Sequence, residues 1–232
     1  HGVRVEHRGL GDIFFLTAEE YDKRSPLGKM RYQLFRNPFI QFVISPVLYL
    51  TVTLRIPFPR LKGWEKLKRN HLIDNGLLIL IYAGLCYLLG WKAFLLIQGS
   101  ILFVFGIIAY WFFYVQHQHE DNYNEQEKGD WDHLIASIRG STFYDLPQVF
   151  HWATGSIGYH HIHHLNSSIP NYNLAACARE NPVLNKYVLH LGFVDSLKFI
   201  HHKLWDEEEQ RMISFREFRK KQKLVLIEGE LV

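Results

Sequence analysis

Cysteine is nearly missing from this sequence: Cys86 and Cys177 are the only two in 232 residues. Cys86 lies in an apolar run and Cys177 in a mixed one, so there is no disulfide framework to read and no cysteine metal site. The pattern is compatible with a reducing compartment. Net charge is also missing. Twenty-six Lys and Arg stand against 23 Asp and Glu, a balance of +3, which gives no electrostatic case for a nucleic-acid partner. Internal repeats and low-complexity tracts are absent. The chain opens at His1 without a signal-peptide pattern, so the expectation is a fragment or a processed chain.

Two stretches lack charge almost completely. Residues 39–54 carry none and contain Pro46. They are shorter than the roughly 20 residues a spanning helix needs, and a re-entrant or interfacial pair of helices is expected, with a tilted span as the alternative. Residues 77–115 carry only Lys92. As one helix this stretch would be roughly twice as long as a hydrocarbon core is thick. A break at Gly90-Trp91-Lys92 therefore predicts two spans, 77–90 and 93–115. A buried soluble pair of helices would show a polar stripe, and this stretch shows none.

The two-span reading fixes a topology. Both ends of such a pair lie on one side of the membrane, so Asn75 and His117 share a compartment, and no later segment is long and apolar enough to cross again. The basic segment Arg60–Arg69 lies on that side, which the positive-inside rule assigns to the cytoplasm. Elsewhere, Thr17-Ala18-Glu19-Glu20 reads as a capping box opening a helix that breaks near Ser25-Pro26. Residues 134–152 read as amphipathic helices interrupted near Gly140 and Pro147, and Glu207–Lys223 as a charged surface helix.

Histidine is what the sequence does have: 14 of them. His160, His161, His163 and His164 occupy four of five consecutive positions. On a helix, His160, His163 and His164 share one face, while His161 points about 100° away from His160. Neutral imidazoles are costly to bury, since each needs a donor and an acceptor satisfied. They make sense where a metal takes the lone pairs, imidazole being the commonest metal-ligating side chain. His117, where the second apolar stretch ends, is the natural further ligand. Ligand type alone leaves zinc, iron and copper open. Iron is favoured because an all-histidine site beside lipid suits oxygen chemistry on an apolar substrate. In addition, three imidazoles from so short a stretch serve two ions more easily than one. Glu120, Asp121 and Asp145 are candidates to orient imidazole N–H groups. His190, His201 and His202 read as ordinary surface or core histidines.

Several words of the sequence closely resemble the membrane fatty acid desaturases of the delta-12/omega-6 type. They are Phe113-Tyr-Val-Gln-His-Gln-His-Glu-Asp121, Tyr144-Asp-Leu-Pro147, Thr154-Gly-Ser-Ile-Gly-Tyr-His-His-Ile-His-His-Leu165 and Ile169-Pro-Asn-Tyr172. Tyr32–Pro38 and Gly90–Leu96 resemble the same group. His119 stands where that family usually has Phe, and Ser156 where it usually has Asn. The resemblance implies a di-iron centre held by three histidine boxes and one extra histidine. His160, His163 and His164 match the third box and His117 the extra residue. The first two boxes would precede Gly9, and the expectation is that residues 1–232 form an N-terminally truncated desaturase domain, inactive alone. The implied reaction uses O2 to remove two hydrogens from adjacent methylenes of an acyl chain. That chain would be carried on lipid, on CoA or on a carrier protein. Electrons would come from an external donor, ferredoxin or cytochrome b5.

The expected architecture is all-α: an integral, multi-pass membrane bundle with a cytoplasmic helical cap (residues 116–232) that carries the metal site, preceded by a cytoplasmic segment (1–37). Three other readings compete. One is a carotenoid- or alkane-type histidine-box hydroxylase or ketolase, separable by its product. The second is an inactive membrane fragment. The third is a soluble zinc protein, which would stay in the aqueous phase on detergent partition.

Overall fold

The computed structural model describes residues 13–56, 64–118 and 133–230. The chain divides into two units: residues 1–32 with 112–232, and residues 33–111.

In the second unit the backbone from Ile40 to Ile44 is a π-helical turn, followed by a helix over Ser45–Thr51 and a 3-10 turn over Thr53–Arg55. Pro46 explains the widened turn. It has no N–H to donate, its ring crowds the preceding turn, and the Ser45 N–H reaches back five residues to the Ile40 carbonyl. Together with the helix Pro26–Phe35 this segment meets the length and composition of a membrane span only as a bent pair. The reading of 39–54 as re-entrant is compatible with that.

Two long helices follow, Trp64–Leu89 and Trp91–His117, both long and apolar enough to cross a bilayer. They are separated at Gly90, whose φ of +77° lies in the left-handed region that glycine enters without steric cost. The break falls where the sequence predicts it. The first helix, however, starts well before residue 77, and the second runs on through His117. Across the break Tyr82 meets the Phe94 ring at 5.4 Å, and Gln98 Nε2 donates to Tyr82 Oη at 3.0 Å. The apolar side chains of these helices, Ile79, Leu80, Leu88 and Leu96 among them, point outward and are exposed. An exposed apolar surface of this extent marks a contact with membrane or with protein. Arg60–Gly63 lie outside the described residues.

The first unit is mixed, not all-helical. A three-stranded sheet has the order β1 (Leu16–Thr17), β4 (Leu204–Asp206), β5 (Arg211–Ile213), with β1 parallel to β4 and β4 antiparallel to β5. A second sheet pairs β2 (Thr142–Asp145) in parallel with β3 (Leu189–Gly192). The all-α expectation is corrected here. These strands are two to four residues long, too short to print a period-two pattern that outweighs the helical one. Likewise 207–213 is a turn and a strand, and the last helix begins only at Phe215.

Local chemistry accounts for these elements. Thr17 ends β1 and caps the helix Ala18–Asp22: its Oγ1 accepts from the Glu20 N–H at 3.1 Å, while the Glu20 carboxylate accepts from the Thr17 N–H at 2.9 Å. Ser214 and Glu217 repeat the reciprocal pair at the start of the helix Phe215–Glu230. Asp206 turns β4 into β5 by accepting from the Glu208 and Glu209 N–H groups. Leu16, Tyr21, Tyr32, Leu204, Ile213 and Phe218 form the core over this sheet. The buried Tyr32 hydroxyl accepts from the Leu16 N–H at 3.0 Å and donates to the Lys203 carbonyl at 2.6 Å, joining β1 to the start of β4.

Candidate metal centre

Two elements of the first unit bring imidazoles together: the end of the helix Trp91–His117 and the short helix His160–Leu165. The first is held at several points around its circumference. Phe112 packs edge-on against Tyr144 with ring centroids 5.2 Å apart. The buried Tyr114 hydroxyl donates to the Phe199 carbonyl at 2.8 Å, and Gln116 Nε2 donates to the Ile157 carbonyl at 2.7 Å. The second element follows a sharp turn. Gly155 has φ +62° and Ser156 φ +58°. At Gly158 a Cβ would come within 2.7 Å of the Tyr144 carbonyl and 2.5 Å of His151 Cε1. Only glycine lets β2 approach this closely. The Tyr144 N–H donates to the Gly158 carbonyl at 2.9 Å, so the turn is pinned to β2 two residues before His160.

The outcome is a triangle of Nε2 atoms. His117 and His164 are 3.2 Å apart, His160 and His117 3.3 Å, and His164 and His160 3.0 Å. These three are a group whose ligating atoms all lie within 4.8 Å of one another. Two donors on one first-row ion, at about 2.0–2.1 Å each, lie about 2.8–3.4 Å apart for angles between about 90° and 109°. The triangle therefore has the edge lengths of ligands sharing an ion. Tautomer agrees with geometry. His117 Nδ1–H donates to the Phe113 carbonyl at 2.8 Å, which leaves the Nε2 lone pair aimed inward, the arrangement that orients metal-bound imidazoles. His160 is kept neutral: burial first, then the crowding of His117, His164, His163 and His161, hold it well below the usual imidazole range.

His163 is not in the triangle. Its ring stacks on His160 with centroids 5.6 Å apart. His161 turns the other way and is fully buried, its Nε2–H donating to Asn185 Oδ1 at 3.2 Å. Asn185 in turn donates to the Ala178 carbonyl. Burial lowers the His161 pKa to about 4, so this ring is a neutral strut of the fold. Asp145 is exposed, and its charge acts on His151. The partner found for the His117 N–H is a backbone carbonyl, not a carboxylate. His119, Glu120 and Asp121 lie outside the described residues. His190 and His201 are exposed and His202 is half-buried. Tyr144 and Gln116, which hold the two elements in place, carry no signal in the sequence beyond the words that contain them.

A model of fatty acid desaturases matches residues 7–194. The chain belongs to the fatty acid desaturase family. A relative from Bacillus subtilis (strain 168) with the name "Fatty acid desaturase" is 39% identical over 212 residues, which is 91% of this chain and 59% of that protein. The chain thus spans less than two thirds of the relative's length. The match covers both elements of the imidazole triangle. Family membership and the two long apolar helices make the chain membrane-associated.

Proposed function

We propose that the chain forms part of the catalytic centre of an O2-dependent fatty acyl desaturase, with His117, His160, His163 and His164 as iron ligands. The observation that carries the reading is the Nε2 triangle, formed by three of those four residues in a chain of the desaturase family. Iron held there supplies the activation of O2 that removal of two hydrogens from adjacent methylenes requires. The protein's part is to present neutral, inward-aimed imidazoles: the Phe113 carbonyl holds the His117 proton on Nδ1, and burial keeps the proton off His160. His163, on the same short helix but turned aside from the triangle, is assigned to a second ion of a di-iron pair.

The finer features belong to the same proposal. The words from Phe113 to Tyr172 favour the delta-12/omega-6-like branch of the family. Electrons come from an external donor, ferredoxin or cytochrome b5, and the substrate is an acyl chain on lipid, CoA or a carrier protein. The two long helices cross the membrane as a pair and place the imidazoles on the cytoplasmic side, supported by the basic residues at 60–69.

The test is expression of the gene in a host without polyunsaturated lipids, with fatty acids profiled by mass spectrometry and iron counted per chain. A new double bond is expected, lost in His164→Ala and His160→Ala, together with bound iron, while membrane insertion is retained. Undiminished turnover and iron content in either variant would overturn the ligand assignment.

A further inference from the structure

The parallel pairing of β2 with β3 has a consequence at one end of that sheet. Asp145 lies opposite Gly192, so the chain leaves both strands at the same edge. Each strand leads into a short helix, Gln148–Ala153 after β2 and Phe193–Ser196 after β3. The Tyr144 hydroxyl donates to Ser196 Oγ at 2.9 Å, and Ser196 passes its own proton to the Phe193 carbonyl, which ties the second helix to β2. Both helices turn bulky apolar side chains outward. Trp152 is 81% and Val194 75% exposed, and Val149, Phe150, Phe193 and Leu197 are exposed as well.

This is no ordinary solvated surface. Residues 146–178 hold no Asp, Glu, Lys or Arg. Around the second helix the charges are Asp195 and Lys198, which pair with each other at 2.9 Å. A largely apolar face with one exposed ion pair and an exposed tryptophan matches the boundary between acyl chains and headgroups, where indole rings concentrate.

Continuity with the apolar helix Trp91–His117 supplies the depth. Tyr144, in the strand that leads into the first short helix, packs on Phe112. Tyr114 bonds the Phe199 carbonyl, just beyond the second short helix. Phe112 and Tyr114 are still inside the uncharged run that ends at residue 115. The patch therefore borders the last turns of a helix long and apolar enough to span a membrane.

We infer that the helices Gln148–Ala153 and Phe193–Ser196 together form a lipid-dipping apron that seats the histidine site on the bilayer surface. The inference rests on the membrane reading given above. It assigns Phe150, Trp152, Phe193 and Val194 a depth of about 5–10 Å into the boundary layer, as for interfacial amphipathic helices.

Depth-sensitive spin labelling tests it. The chain, with Cys86→Ser and Cys177→Ala, is reconstituted in phosphatidylcholine–phosphatidylglycerol vesicles. A nitroxide is placed singly at Phe150→Cys, Trp152→Cys and Val194→Cys. Leu96→Cys on the long helix serves as the lipid reference and Glu208→Cys, in the turn after β4, as the water reference. All five labelled positions are exposed. The ratio of O2 to nickel-chelate collisions at 150, 152 and 194 is expected to lie well above that at 208 and toward that at 96. A water-like ratio at these three sites with a lipid-like ratio at 96 overturns the apron alone. Suppression of both collision rates also overturns it, because protein would then cover the face. A water-like ratio at 96 defeats the membrane reading and the apron with it.

Discussion

Ser156 is the one non-glycine residue of the turn before the histidine helix that sits at positive φ, 58°. The left-handed region costs a side-chain-bearing residue roughly 1 kcal/mol, and Asn tolerates it better than Ser. The resembling family usually has Asn at this position, and the backbone now gives the reason. Ser156→Asn and Ser156→Gly are expected to raise stability by up to about 1 kcal/mol in thermal unfolding; a loss would show the turn does not adopt this conformation. Gly158→Ala works the other way. Its Cβ meets the Tyr144 carbonyl and the His151 ring, and overpacking of this kind costs about 1–3 kcal/mol. His151 itself is a titration probe. Burial lowers its pKa from 6.5, against a smaller opposing pull from Asp145. The unfolded ring takes a proton near pH 6.5 while the folded one resists. Its contribution is therefore complete above about pH 6.5 and is lost as the pH falls below that. His151→Phe, which keeps the stack between Phe143 and Tyr159, should flatten the pH dependence of stability below 6.5, and an unchanged slope would contradict the assignment.

The elements were legible to different degrees. Thr17-x-x-Glu20 announces its helix, and the structure has both reciprocal bonds. Ser214-x-x-Glu217 is the same signature, but it is hidden in a run so rich in charge that 207–223 reads as one surface helix. Both caps predict the same outcome: Thr17→Ala and Ser214→Ala each lose about 1 kcal/mol in denaturant unfolding. β2 was not legible, because Thr142-Phe-Tyr-Asp145 has alternating burial over only four residues and its partner β3 is far along the chain. The histidine face was legible in part. Residues i, i+3 and i+4 share a face, yet i+3 and i+4 still diverge by about 100°. His160 and His164 meet the imidazole that arrives from another helix, and His163 is left stacked alongside. That His117 would meet them followed from the end of the apolar run. That its proton would go to Phe113 could not be read, since it depends on where the helix ends.

At the scale of the whole molecule, two surfaces of opposite character need a surrounding that is not water alone. The long helices expose apolar side chains along their length, while the first unit carries a charged exterior with the ion pairs Lys23–Glu19 and Arg211–Glu217. An ion bound to the triangle should stabilise this first unit by mass action, about 2.7 kcal/mol at one hundred times its dissociation constant. Co(II) serves as a visible stand-in for iron. Its addition is expected to raise the melting temperature and to give an absorption band from imidazole coordination. Both effects should vanish in His164→Ala and after chelation. A Co(II)-dependent shift that survives His164→Ala would place the metal elsewhere.

The collar around the last turns of the helix Trp91–His117 also limits how the chain can vary in length. Phe112, Tyr114 and Gln116 are each gripped by a different part of the first unit. A deletion or insertion of one residue between Phe112 and His117 would swing the imidazole round by about 100° and shift it by about 1.5 Å along the axis. Variation upstream of Phe112 leaves that grip untouched. With the helix spanning the bilayer as proposed above, adaptation to thicker or thinner bilayers has its room before residue 112, and the six positions that end in His117 act as a fixed ruler.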